Sequence, residues 1–297
     1  MRIAITGASG LIGTALSRQL TDDGHDVVRV VRRAPSDNEI GWSVTEGRID
    51  DGAFNGIDAV VHLAGAGIAD KRWTDSYKKV LLESRTVGTA LVAQAVNDAE
   101  NPPSVLLSGS AIGIYGSSDT ETFTETSAAG SGFLAEICEA WESSAAPAQS
   151  DRTRVALLRT GIVMSTEGGA LKKQLPVFKM MLGGKMGSGT QWQSWIHIDD
   201  EVGAIIHLLN STLAGPVNLT APNPVTNAEF TKSLGGAVGR PTFMPIPKFG
   251  PKLVLGGELA DNLLFSGQKV LPAALEADGF TFQHPTLDGA LSNLLKK

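Results

Sequence analysis

Cysteine is nearly absent: Cys138 is the one thiol in 297 residues. A single thiol excludes an internal disulfide framework and suits a reducing cytosol. Its place beside Ile137 in a helical stretch reads as a small buried hydrophobe rather than a nucleophile. The histidines (His25, His62, His197, His207 and His284) lack paired ligand spacing of the HExxH kind, so no structural or catalytic metal is expected. No apolar run is long enough to span a bilayer, and the opening apolar segment is too short and too glycine-rich for a signal peptide. A cytoplasmic protein without a membrane partner is expected. Basic clusters are missing too, and with a net charge of −6 and a pI near 5.4 nucleic acid is not an expected partner. Internal repeats and low-complexity segments are also lacking. Charged residues at 19% and apolar residues at 42% are the mix of an ordinary folded chain. The length suits one large α/β domain or a nucleotide domain with a smaller appendage.

Glycine, by contrast, is plentiful, and the first glycines are the most telling. A short apolar strand over 1–6 runs into Gly7-Ala8-Ser9-Gly10-Leu11-Ile12-Gly13 and then into a helix whose Leu16 and Leu20 continue an apolar helical spacing. Gly7 suits a tight turn, Gly10 lets backbone amides approach a pyrophosphate, and Gly13 lets the helix pack against the strand. Free N–H groups at the helix start favour an anion. Gly7, Ser9, Gly10, Leu11, Ile12 and Gly13 are therefore the expected dinucleotide cradle. A β-branched strand over 26–33 completes a βαβ unit. An acid at its end would select NAD, whereas Arg32 and Arg33 suit a 2′-phosphate. Two arginines leaving a strand also read as a solvated loop; with the glycines they point to NADP(H).

Strand-like runs at 59–64, 104–108, 155–159 and 217–220 alternate with helical ones at 74–99, 133–146, 171–182 and 199–209. The alternation predicts an α/β fold, a Rossmann-like doubly wound parallel sheet, with ligands outside the carboxyl ends of its strands. After Ala221 prolines and glycine pairs punctuate the chain, predicting a smaller, loop-linked lobe. Thr226-Asn227-Ala228-Glu229 is a capping box that predicts a helix from Asn227. The expected domains are an NADP-binding Rossmann domain over 1–165, to which 191–221 returns, and a C-terminal substrate lobe over 222–297, to which 166–190 contributes.

Thr6-Gly7-Ala8-Ser9-Gly10-Leu11-Ile12-Gly13, His62-Leu63-Ala64-Gly65 and Ser108-Gly109-Ser110-Ala111-Ile112-Gly113-Ile114-Tyr115-Gly116 resemble the TGxxGxxG, HLAG and SSSAxVYG elements of the extended short-chain dehydrogenase/reductase superfamily. Its members include sugar-nucleotide epimerases and dehydratases. The resemblance spans nearly the whole chain. Arg72-Trp73, Glu83-Ser84-Arg85, Trp141-Glu142, the glycine-rich 183–189, Trp195-Ile196-His197-Ile198-Asp199-Asp200 and Gly267-Gln268-Lys269-Val270-Leu271-Pro272 narrow it to the atypical "epimerase family" oxidoreductases with a C-terminal DUF1731-type domain. The resemblance implies that Leu63, Ala64 and Gly65 border the adenosine side of the cofactor, that Ser108 lies beside it, and that Arg85 reaches a phosphate or pins a loop. It also implies a homodimer through a helix pair, common in that superfamily.

One departure bears on chemistry. Where the superfamily carries a YxxxK pair, the aligned segment reads Gly132-Phe133-Leu134-Ala135-Glu136-Ile137. Phe133 has no hydroxyl and Ile137 no charge, so the usual proton transfer is lost; a phenol with an ordinary pKa near 10 needs the lysine's help. Tyr115 and Ser110 are the best remaining acid and orienter, although Tyr115 also reads as packing beside the cofactor. Tyr77, the other tyrosine, falls on a long helix and reads as packing or surface. Arg72 and Trp73 suit an anionic or planar ligand, or else staple two loops. Arg159 either meets a substrate or pairs with an acid such as Glu142, and His197 is a proton donor or a structural residue at a helix start. The function expected first is an NADP(H)-dependent oxidoreductase of a small polar or sugar-like carbonyl or alcohol. A non-catalytic NADPH-binding or sensing protein is the alternative, and an NAD-linked sugar-nucleotide epimerase is weaker because it too needs the missing acid/base.

Overall fold

The computed structural model describes residues 1–295. Strand β1 (Arg2–Thr6) pairs in parallel with β2 (Asp26–Val31) on one side and β5 (Ala59–His62) on the other, and α1 (Leu11–Asp22) crosses between β1 and β2. Beyond β2 lie β3 (Glu39–Ser43) and the antiparallel edge strand β4 (Arg48–Ile49); beyond β5 lie β6 (Val105–Ala111), β8 (Arg154–Thr160) and β12 (Gly215–Leu219). The result is an eight-stranded sheet in the order β12-β8-β6-β5-β1-β2-β3-β4, parallel except at β4.

Alternation along β1 builds both layers. Ile3 and Ile5 share a core with Leu16 and Leu20 of α1 and with Ile205 and Leu208 of α5 (Ile198–Asn210). Ala4 faces the opposite way, into a core with Val92 and Val96 of α2 (Asp75–Asp98) and Ala145 of α3 (Phe133–Ala145). Each large aliphatic buried this way is worth about 1.5–3 kcal/mol, so the strand is held from both faces.

Several boundaries differ from the sequence expectation. The strand expected over 26–33 ends at Val31, leaving Arg32 and Arg33 in the following bend. The strand expected to stop at Ser108 continues to Ala111, which carries Ser110 inside the sheet. The helix expected over 171–182 is α4 (Gly169–Lys179), and Met181 beyond it takes a left-handed φ of 61°. Strands β3 and β4 were not expected, because the five residues from Glu39 to Ser43 show too short an apolar alternation to stand out.

Away from the large sheet, α4, α6 (Asn227–Val238) and α10 (Leu287–Leu294) bury Phe178, Phe230, Leu234 and Leu291 together. Both bonds of the Thr226–Glu229 capping box form at the start of α6. This part of the chain also holds α7 (Phe249–Leu255), which buries no residue, α8 (Gly257–Leu264) and the short α9 (Ala273–Ala277). Two small ribbons join β9 (Ile162–Met164) to β11 (Trp195–His197) and β10 (Trp192–Gln193) to β13 (Val225–Thr226). A third pairs β7 (Thr122–Phe123) with β14 (Lys269–Val270) and ties the C-terminal part of the chain to the segment after β6. Gly267 is needed there, since a Cβ would stand 2.0 Å from the Trp192 carbonyl oxygen. Among the described residues, no helix is long and apolar enough to cross a membrane.

Candidate functional site

The glycine turn meets the geometric requirement for a dinucleotide. Gly7 has φ of +68°, and a Cβ on it would lie 2.9 Å from the Leu63 carbonyl carbon. A Cβ on Gly13 would lie 2.2 Å from the Gly7 carbonyl oxygen. Gly10 caps α1 without a side-chain bond, and no acid sits in the first turn of that helix, so among the described residues no cap side chain competes with an anion for its N–H groups. Ser9 is exposed beside the turn, Leu11 touches Gly168 and Gly169 at the start of α4, and Ile12 packs into the core.

Thr6 ties this turn to the neighbouring strand. Its hydroxyl oxygen accepts from the backbone N–H of Leu63 (3.1 Å) and Ala64 (3.2 Å) and bonds His62 Nδ1 at 2.8 Å. Nε2 of His62 bonds the Thr89 hydroxyl at 2.9 Å. Complete burial pushes the His62 imidazole down to about 4, so it is a neutral brace and carries no charge to the cleft. Thr6 opens the TGxxGxxG resemblance, but nothing in the sequence signals its tie to His62 or marks Thr89. Gly65 lies against Arg85, whose Nη1 donates to the Ala66 and Leu81 carbonyls at 3.1 Å and whose guanidinium stacks over Trp141 at 4.9 Å. Arg85 thus pins the loop after β5. Ser108 is buried, with no partner for its hydroxyl among the described residues.

The two arginines part company. Arg33 makes a bidentate pair with Glu39 (2.7 and 2.8 Å), and the Arg33 and Ser36 donors hold the Glu39 carboxyl down to about 2. Arg32 is exposed in the bend after β2.

Ser110 and Tyr115 do not form an open catalytic pair. The Ser110 hydroxyl donates to Glu142 Oε1 at 2.6 Å, and Glu142 is held by Arg159 through Nε (2.8 Å) and Nη2 (2.9 Å). Arg159 Nη1 donates to the Tyr115 hydroxyl at 2.9 Å, which in turn donates to Asn218 Oδ1 at 2.6 Å. Tyr115 is 2% exposed and stacked on Phe123. Burial pushes its hydroxyl above the ordinary range, with Arg159 pulling partly back. Both hydrogen-bonding roles of the phenol are filled and its ring is buried, the arrangement of the packing alternative rather than of an open acid. Arg159 takes the buried ion-pair alternative with Glu142.

The remaining candidates are also structural in this arrangement. Arg72 Nε and Nη2 donate to the Val254 and Leu253 carbonyls (3.1 and 2.5 Å), so Arg72 staples its loop to the C-terminal end of α7. Trp73 donates to the Ile68 carbonyl at 2.9 Å and meets Phe133 edge to face at 5.1 Å. His197 caps α5, its Nδ1 accepting from the Asp199 N–H at 3.0 Å; burial and the stacked His284 push it below the usual histidine range. Tyr77 donates to the Gly67 carbonyl at 2.6 Å. Ile137 is buried in α3, and so is Cys138, where burial pushes the thiol up to about 12.

A family model described as the NAD dependent epimerase/dehydratase family matches residues 3–219, and a second, described as a domain of unknown function (DUF1731), matches 246–294. The chain belongs to the NAD dependent epimerase/dehydratase family. An epimerase family protein of Mycobacterium bovis is 44% identical over 291 residues, covering 97% of this chain and 96% of its own. A relative in Arabidopsis thaliana, described as chloroplastic, is 39% identical and covers 100% of this chain and 87% of its own; likeness within this epimerase/dehydratase branch therefore carries no single compartment. A crystal structure of the human epimerase family protein SDR39U1 with NADPH superposes with a TM-score of 0.92 at 35% identity over 100% of both chains.

Proposed function

We propose that this member of the epimerase/dehydratase family is an NADP(H)-dependent oxidoreductase acting on a small polar or sugar-like carbonyl or alcohol. The observation that carries the reading is the cradle: Gly7 and Gly13 leave no room for a Cβ, α1 begins uncapped, and Arg32 stands free at the end of β2. The human relative that shares the fold was crystallised with NADPH. Gly7, Ser9, Gly10, Leu11, Ile12 and Gly13 would hold the pyrophosphate, with Leu63, Ala64, Gly65 and Ser108 along the strand ends. Arg32 would take the 2′-phosphate by charge-assisted bonds. Arg33 contributes by holding Glu39 away from that phosphate. When bound, the nicotinamide would supply or accept a hydride.

A second reading, a protein that holds NADPH without chemistry, draws support from the locked Ser110–Glu142–Arg159–Tyr115 chain. One experiment separates the two. Wild-type protein is incubated with NADPH deuterated at the 4R or 4S position and a panel of glyceraldehyde, dihydroxyacetone and pyruvate, and the products are read by mass spectrometry. Stereospecific deuterium in a product supports the oxidoreductase. Tight NADPH binding with no deuterium transfer to any compound supports the holding protein.

A further inference from the structure

Three helices of separate origin bring side chains to one point at the carboxyl edge of the sheet. Lys78 lies in the first turn of α2, Phe133 opens α3, and Glu258 lies in the first turn of α8, in the other lobe. Lys78 Nζ sits 4.8 Å from the ring centre of Phe133 and 6.0 Å from that of Trp73, and it forms an ion pair with Glu258. Lys78 keeps 24% of its side-chain exposure and Glu258 46%, so the pair is open to solvent at one side. Phe133 stands where the resemblance places the proton-donating phenol.

The other proton-bearing groups toward this edge are taken. Tyr115 is buried with its hydroxyl donated to Asn218, Tyr77 donates to a carbonyl, Cys138 is a buried thiol, and His62 is wedged between two threonines. Lys78 has an ammonium on a flexible stem with an aromatic wall to lie along, paired with Glu258 and partly open to solvent; Lys71, in the loop before α2, lies over the Tyr77 ring instead, at 5.7 Å. Its partner is reached only through the second lobe, so the pair also records how the two lobes are spaced.

We propose, on the reading of this chain as an NADP(H)-dependent oxidoreductase, that Lys78 donates the proton to the carbonyl oxygen of a small polar substrate, and that Glu258 holds Lys78 at the cleft until the substrate enters. In the reduction the C=O π bond breaks, the carbon takes the hydride that the reduced cofactor supplies, the oxygen takes a proton from Nζ, and the neutral amine regains one from water. In the reverse direction Nζ accepts the alcohol proton.

Two measurements on the intact protein test this. In the first, acetic anhydride labelling of lysines is followed by mass spectrometry with and without NADP+. Lys78 should be slowed at least fivefold by NADP+, while Lys79, one residue on with 71% side-chain exposure, should be unchanged; equal labelling of Lys78 in both states overturns the proposal. In the second, steady-state kinetics are run on any panel compound that wild type reduces, with NADPH affinity as the folding control. Lys78→Met and Lys78→Arg should both lose about 10²- to 10⁴-fold in kcat with NADPH affinity kept, the range of a positioned acid, whereas Lys79→Met, at the exposed neighbouring lysine, should leave kcat within about threefold. Normal kcat in Lys78→Met, rescue by Lys78→Arg, or an equal kcat loss in Lys79→Met overturns the acid while leaving the oxidoreductase reading intact. Failure of wild type to reduce any panel compound overturns both.

Discussion

Single residues decide this site by whether their polar atoms are already spoken for. Tyr115 has the right chemistry for an acid, yet its hydroxyl is closed between Arg159 and Asn218. Tyr115→Phe should therefore cost about 1–3 kcal/mol of stability, the penalty for leaving buried partners unpaired, while NADPH affinity and any turnover stay at wild-type levels. Urea unfolding and cofactor titration check both halves. Arg32 makes the opposite case. Exposed and uncommitted, it should matter to the cofactor alone: Arg32→Ala should raise the Kd for NADPH roughly tenfold or more and leave NADH binding nearly unchanged, read by cofactor fluorescence. Glu201 at the start of α5 carries the clearest pH signature. Complete burial pushes its carboxyl up to about 8, with the Thr160 hydroxyl donating at 2.9 Å and pulling partly back. A carboxyl raised in the folded state gives stability that is full below its unfolded pKa near 4.3 and lost as pH rises through about 8. Glu201→Gln should match wild type at pH 4.5 and exceed it at pH 9 by on the order of a few kcal/mol in urea titrations. A pH-independent difference would contradict the assignment.

At the scale of elements, what could be read in advance was whatever depends on local sequence. The cradle is seven contiguous residues, 7–13, whose glycines answer to backbone sterics, and the α6 capping box is four residues whose first and last, Thr226 and Glu229, bond each other. Gly13→Ala tests the first of these: its Cβ would meet the Gly7 carbonyl at 2.2 Å, so the turn must open. NADPH binding should fall at least a hundredfold by titration, while far-UV circular dichroism stays native. Strands β3 and β4 are not legible, because their short stretches gain order from pairing, β3 with β2 and β4 with β3, and from Trp42 packing edge to face on His62. The extra length of β6 was hidden for a similar reason. Glycine and serine at 108–110 have little strand propensity, yet parallel pairing with β8 carries the strand through to Ala111.

Across the whole molecule, α7 and α8 are tied to the segment around the start of α2 by the polar contacts of Arg72 and Lys78; α7 buries no residue, whereas α8 also buries Leu259 and Ala260. Arg72→Ala should speed backbone amide exchange across 249–264 several-fold without altering exchange in β1, β5 or β6, measured by hydrogen–deuterium exchange. Uniform acceleration, or none, would mean that other contacts seat the two helices. The sequence by itself determined the sheet class, the dinucleotide turn and the loss of the usual tyrosine and lysine, since each is written in neighbouring residues or in a missing functional group. Only the tertiary structure decided which side chains are free to act. Arg33 is engaged by Glu39, Tyr115 by Arg159, and Lys78 meets Glu258 across 180 positions of chain. Availability is set by long-range packing, which places partners that no local spacing connects.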